Sequence, residues 1–99
     1  MNIHKTENGA ELTLAVEGRL DTTTSPKLEA ELKRSISGVT RLVIDLKDLE
    51  YISSSGLRVL LSAQKVMNRQ GEMLIRHVNE TVMEIFDVTG FVDFLTIEA

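Results

Sequence analysis

The chain has 99 residues, 42% of them apolar, with a net charge of -4, four aromatics and no cysteine. That length provides for one modest hydrophobic core, and the absence of thiols excludes a disulfide framework, a thiolate nucleophile or a cysteine metal knuckle. The acidic balance opposes phosphate-backbone binding and the few aromatics offer little for stacking bases, so nucleic acid is not an expected partner.

Apolar runs are short, and the start, Met1-Asn2-Ile3-His4-Lys5, lacks the apolar stretch and small-residue cleavage site of a secretion signal. The expectation is a single domain over residues 1–99, cytoplasmic, with no membrane partner. Asn8-Gly9 is a favoured two-residue type I′ hairpin turn, which sets Lys5 opposite Leu12 and Ile3 opposite Leu14. The second strand alternates, with Leu12, Leu14 and Val16 on one face and Glu11, Thr13, Ala15 and Glu17 on the other.

Pro26 fits the first position of a helix capped by Ser25 or Thr24. Leu28, Leu32 and Ile36 form its apolar stripe, Lys33 and Arg34 suit its last turn, and Gly38 ends it. Leu42-Val43-Ile44, between Arg41 and Asp45, reads as a central strand covered on both faces. Asp45 ends that strand, where it either serves a site or caps the turn into Lys47-Asp48.

After Leu49 and Tyr51-Ile52 comes Ser53-Ser54-Ser55-Gly56, then a long helix from about Ser55 to Gln70, terminated by Gly71. Arg58, Ser62, Lys65 and Arg69 make a single polar stripe, while Leu57, Val59, Leu60, Leu61, Ala63, Val66 and Met67 spread around the rest, so this helix is expected to be mostly buried. Met73-Leu74-Ile75 gives the next strand. Asn79 caps a helix carrying Val82, Ile85 and Phe86, with Val78 and Met83 placed for a hydrophobic staple and Gly90 at its end. Phe94-Leu95-Thr96-Ile97 reads as a last strand. A hairpin followed by helix-strand units implies an α/β domain with a mixed sheet packed with amphipathic helices.

The serine run bears the most chemistry. A hydroxyl at a helix start faces amides without intrahelical partners, where the dipole favours negative charge, so a phosphoryl group would be accommodated there. The simpler reading is that Ser53 or Ser54 caps the helix. Asp21 is either a partner contact or a loop cap, and Arg58, four residues after Ser54, either reaches toward a phosphate or a partner's acidic patch or is simply solvated. A hydrolase is disfavoured: Ile52-Ser53-Ser54-Ser55-Gly56 lacks the glycine two residues before a nucleophile, and His4 and His77 are the only histidine bases. No Gly-rich Lys-Ser/Thr loop for nucleotide phosphates exists, and no cofactor is expected.

Leu42-Val43-Ile44-Asp45-Leu46 with Leu49-Glu50-Tyr51-Ile52-Ser53-Ser54-Ser55-Gly56-Leu57 resembles the signature of bacterial anti-sigma-factor antagonists, whose fold is the STAS domain. Gly18-Arg19-Leu20-Asp21 followed by Ser25-Pro26-Lys27-Leu28 resembles the family's first strand-to-helix passage, and Asn79 through Gly90 its closing helix. The resemblance implies a STAS-type mixed sheet and a non-enzymatic protein. It also implies an anti-sigma factor serine kinase as partner: the unphosphorylated form binds the kinase and frees sigma, phosphorylation releases the kinase, and a serine phosphatase resets the protein. It puts the acceptor at Ser54, with Ser53 and Ser55 as alternatives, and Asp21 close to it; with Arg58 added from its spacing, the expected partner-binding residues are Asp21, Ser53, Ser55, Gly56 and Arg58. Where the family motif has an aspartate before the acceptor, this chain has Ser53. A second implied role keeps the fold as a non-phosphorylated scaffold or regulatory subunit of a stress-signalling or transporter complex.

Overall fold

The computed structural model describes residues 1–98. Five strands and three helices follow in the order β1 (Asn2–Asn8), β2 (Glu11–Leu20), α1 (Ser25–Ser35), β3 (Arg41–Asp45), β4 (Leu49–Ile52), α2 (Ser54–Gln70), β5 (Glu72–Arg76) and α3 (Glu80–Thr89), then a 3₁₀ turn over Phe91–Asp93. The sheet is mixed: β1 runs antiparallel to β2, whereas β3 and β4 both pair with β2 in parallel and β5 pairs in parallel with β3.

On its edge away from β1, β2 serves two partners. Glu11–Ala15 pair with β3 and Gly18–Leu20 pair with β4, with a register shift between Gly18 and Arg19. Gly18 takes φ +95°, a conformation that L side chains rarely adopt, and its N–H donates to the Asp48 carbonyl (3.0 Å). This bend carries the end of β2 alongside β4 and so fixes where α2 begins.

One sheet face contributes Leu12, Leu14, Val16, Leu42, Ile44, Met73 and Ile75 to a single apolar cluster with Leu28 and Leu32 of α1, Leu57, Leu60, Ala63 and Met67 of α2, and Val82 and Phe86 of α3. The opposite face is polar, with Arg41 bridging Glu11 (3.6 Å) and Glu72 (2.6 Å) across three strands. β3 is central as predicted and Leu42, Val43 and Ile44 are all buried. Val43 nevertheless lies outside the main cluster, on the polar face with half-buried Thr13 and Leu74 beside it.

Four expectations are corrected. The hairpin centres on Gly9-Ala10, so Ile3 pairs with Val16 and Lys5 with Leu14; only Gly9 has positive φ, which a type I′ turn would require of both central residues. Helix α1 starts one residue before Pro26, and Thr24, at its N-cap, makes no side-chain bond to the helix. Val66 is 40% exposed rather than buried. Phe94–Ile97 is not a strand: Phe94 and Leu95 bond back to Phe91, and Ile97 makes an isolated parallel bridge to Ile75. The predicted cap of α3 is present, with the Asn79 carboxamide oxygen accepting from the Val82 N–H (2.9 Å) and Gly90 in the left-handed region at its end.

Candidate functional site

The ladder between β2 and β4 extends one residue beyond Ile52, as the Ser53 N–H donates to the Leu20 carbonyl (2.8 Å). Ser53 is extended (φ -94°, ψ 175°) and is the N-cap of α2; its Oγ accepts a long bond from the Gly56 N–H (3.5 Å), and its carbonyl accepts from the Leu57 N–H (3.0 Å). Ser54 is therefore the first helical residue, and it is exposed, while Ser53 and Ser55 are half-buried. The N–H groups of Ser54 and Ser55 have no partner among the described residues. These are the amides that a helix start offers to an anion.

Gly56 is where the sequence makes this approach possible. A Cβ there would lie 2.8 Å from Ile52 Cγ1 and 2.8 Å from Leu20 Cγ, two side chains buried in the core. The missing side chain lets the first turn of α2 sit against β2 and β4.

Asp21 organises the neighbouring loop. Its Oδ1 accepts from the N–H of Thr23 (3.0 Å), the hydroxyl of Thr23 (2.7 Å) and the N–H of Thr24 (3.1 Å). These bonds, the Thr23 hydroxyl foremost, hold its carboxyl below the usual carboxylate range. Asp21 thus acts as a loop cap, and it reaches the serine run only through the loop. The link is Thr22, whose hydroxyl lies 3.3 Å from that of Ser55. Thr22 belongs to no motif, and its signal in the sequence is the hydroxyl run Thr22-Thr23-Thr24 directly after Asp21.

Arg58 is exposed, has no ion-pair partner among the described residues, and lines a concavity of about 230 Å³ with Thr22, Ser25, Pro26, Glu29, Ser55, Val59 and Ser62. Ser53, Ser54, Ser55 and Arg58 thus share one surface with the Asp21 loop at its edge, and Gly56 is buried beneath it. Neither histidine approaches it: His4 meets Glu17 (3.4 Å) on the hairpin, and His77 Nδ1 lies 3.0 Å from Asp45 Oδ1, which also accepts from the Lys47 N–H (3.0 Å). Among the described residues no group of His, Cys, Asp or Glu is placed to hold a metal ion.

The family model for the STAS domain matches residues 2–99. The chain belongs to the STAS domain family. It is 36% identical over 88 residues to BtrV of Bordetella bronchiseptica, covering 87% of this chain and 76% of that one. It is 29% identical over 100 residues to the anti-sigma-B factor antagonist of Bacillus subtilis, covering 100% of this chain and 92% of the relative. The anti-sigma factor antagonist SpoIIAA in its unphosphorylated form superposes with a TM-score of 0.84 at 17% identity, covering 99% of this chain and 89% of that one. At that identity the superposition establishes the STAS fold: a mixed sheet with helices. No helix among the described residues is long and apolar enough to cross a membrane.

Proposed function

We propose that this STAS domain is a non-enzymatic anti-sigma factor antagonist whose binding surface is the start of α2, switched by phosphorylation of Ser54. The observation that carries this is the placement of Ser54: it is exposed at the first position of α2, next to amides free to donate to an anion, on a junction packed closely against the core at Gly56. Relatives named as anti-sigma factor antagonists support an anti-sigma factor as the partner class; that this factor is also a serine kinase, with a serine phosphatase for reset, is the part of the reading that the resemblance implies.

A phosphoryl group on Ser54 adds about -1.5 to -2 charges that the helix start tolerates, so the domain stays folded. A partner packed over Ser54 would have to bury that charge, at ~3 kcal/mol or roughly a hundredfold in affinity. Ser53, Ser55 and Gly56 shape the junction, Asp21 holds the loop beside it, and Arg58 borders it.

The test is incubation with the kinase and ATP, with the phosphate located by mass spectrometry in wild type and Ser54→Ala, followed by titration of both forms against the kinase. The expected result is modification of Ser54 alone, loss of binding on modification, and retained binding by Ser54→Ala. Kinase binding without any transfer to the serine run would leave the constitutive scaffold.

A further inference from the structure

The concavity beside Arg58 does not end there. It shares Glu29, Val59 and Ser62 with a second one of about 340 Å³, floored by Leu32, Val59 and Ala63 and edged by Ile36 and Val66. Together they make a continuous groove between α1 and α2, running from Ser55 to Val66. Eleven residues of helix span about 16 Å, the length of three helical turns.

The α2 edge of this groove is cationic. Helix α2 carries Arg58, Lys65 and Arg69 and no acidic residue, in a chain whose net charge is -4. Their spacing puts these three on one stripe next to the row Ser55, Val59, Ser62 and Val66 that faces the groove. None of the three has an ion-pair partner among the described residues, whereas Lys33, on the α1 edge, is matched by Glu29 (3.6 Å). Val66, which periodicity expects to be buried, stands 40% exposed on the groove's rim.

We propose that this groove receives an amphipathic helix of the anti-sigma factor, with apolar anchors at three- and four-residue spacing and an acidic flank against Arg58, Lys65 and Arg69. The inference rests on the binding role proposed above and adds the recognition element. It also gives the switch a second lever. A phosphoryl group on Ser54 lies one helical turn from Arg58, so it occupies a cation that the acidic flank requires and repels the flank itself.

The experiment titrates the purified anti-sigma factor kinase with wild type, Val66→Glu, Val66→Ser and Lys65→Glu/Arg69→Glu, with thermal melts as the folding control. All three substituted positions, 65, 66 and 69, are exposed. The expected result is a tenfold or greater loss of affinity for Val66→Glu and for the double variant, a smaller loss for Val66→Ser, and a weaker salt dependence in the double variant. In a parallel arm, Val66→Cys, the sole thiol of the chain, carries a photo-crosslinker, and the captured kinase segment is expected to be an acid-flanked helix. Wild-type binding with unchanged affinity in all variants would overturn the groove and leave the function standing. Crosslinks to a second copy, or to a basic segment, would overturn it as well. No binding by wild type would remove the function and the groove together.

Discussion

Replacing Gly56 with alanine tests whether the start of α2 is positioned by close packing. The added Cβ would sit 2.8 Å from Ile52 Cγ1, 2.8 Å from Leu20 Cγ and 3.0 Å from Leu20 Cδ2. Leu20 is 0% and Ile52 1% exposed, so neither side chain has free space into which to withdraw. Overpacking of this kind costs ~1–3 kcal/mol, against which alanine recovers up to about 1 kcal/mol of helix propensity. Two contacts at 2.8 Å put the overpacking cost in the upper half of that range, so the net loss, ~1–2 kcal/mol, corresponds to a fall in Tm of roughly 4–16 °C for a domain of this size. Thermal denaturation followed by circular dichroism measures it, and affinity for the kinase measured below the transition reports the displaced Ser54. A Gly56→Ala protein that melts within two degrees or so of wild type would refute the argument that contact with Leu20 and Ile52 sets the site.

Two further perturbations follow from other contacts. Glu31 is held down to about 2 by the hydroxyl of Ser35 (2.7 Å) and then by Arg34 (2.9 Å). A carboxyl depressed in the folded state stabilises above its unfolded value, near 4.5, and that contribution is lost as pH falls toward 2. With solvent screening it amounts to ~1 kcal/mol, so urea denaturation of Glu31→Gln should show a stability deficit at pH 7 that closes by pH 2; an equal deficit at both would contradict the assignment. Asn79 caps α3 through its carboxamide oxygen and donates its amide to the Leu49 carbonyl (2.5 Å), tying α3 to β4. Asn79→Ala should lose ~1.5–3 kcal/mol in chemical denaturation, from a missing cap and an orphaned carbonyl.

The elements legible in the sequence are those where local and tertiary preferences coincide. Asn79 and Gly90 bracket α3, and Ser53 and Gly71 bracket α2, because side-chain oxygens and residues without a Cβ solve the same terminal problem wherever a helix occurs. The hairpin register was not legible. Asn8-Gly9 is the better isolated turn, but moving the turn by one residue shifts the pairing by two, keeps every side chain on its face, and sets Ile3 against Val16 and Lys5 near Glu31 (3.5 Å). Long-range contacts chose between two registers that alternation cannot distinguish.

The site shows the same division. The order Ser53, Ser54, Gly56 announces a helix start, yet nothing local indicates that β2 bends at Gly18 to pair with β4 or that Thr22 comes within 3.3 Å of the Ser55 hydroxyl. Val66 misled because periodicity reports which face is apolar and not whether a neighbour in the same chain covers it.

Ser53 is the residue at which the helix cap meets the proposed switch. Its hydroxyl accepts from the Gly56 N–H at 3.5 Å, a weak bond that leaves the start of α2 with most of its positive potential. Aspartate at this position would accept the same N–H as a charged group and stabilise the unphosphorylated domain by ~0.5–1 kcal/mol, a gain of roughly 2–8 °C. The same carboxylate would stand beside a phosphoryl group on Ser54, where like charges at contact range cost ~1 kcal/mol or more. A neutral cap therefore favours the phosphorylated state relative to a charged one. Ser53→Asp should raise the Tm of the unmodified protein and raise that of the protein phosphorylated at Ser54 by less, or lower it. Equal shifts in the two forms would show that the cap and the phosphoryl group do not share the same amides.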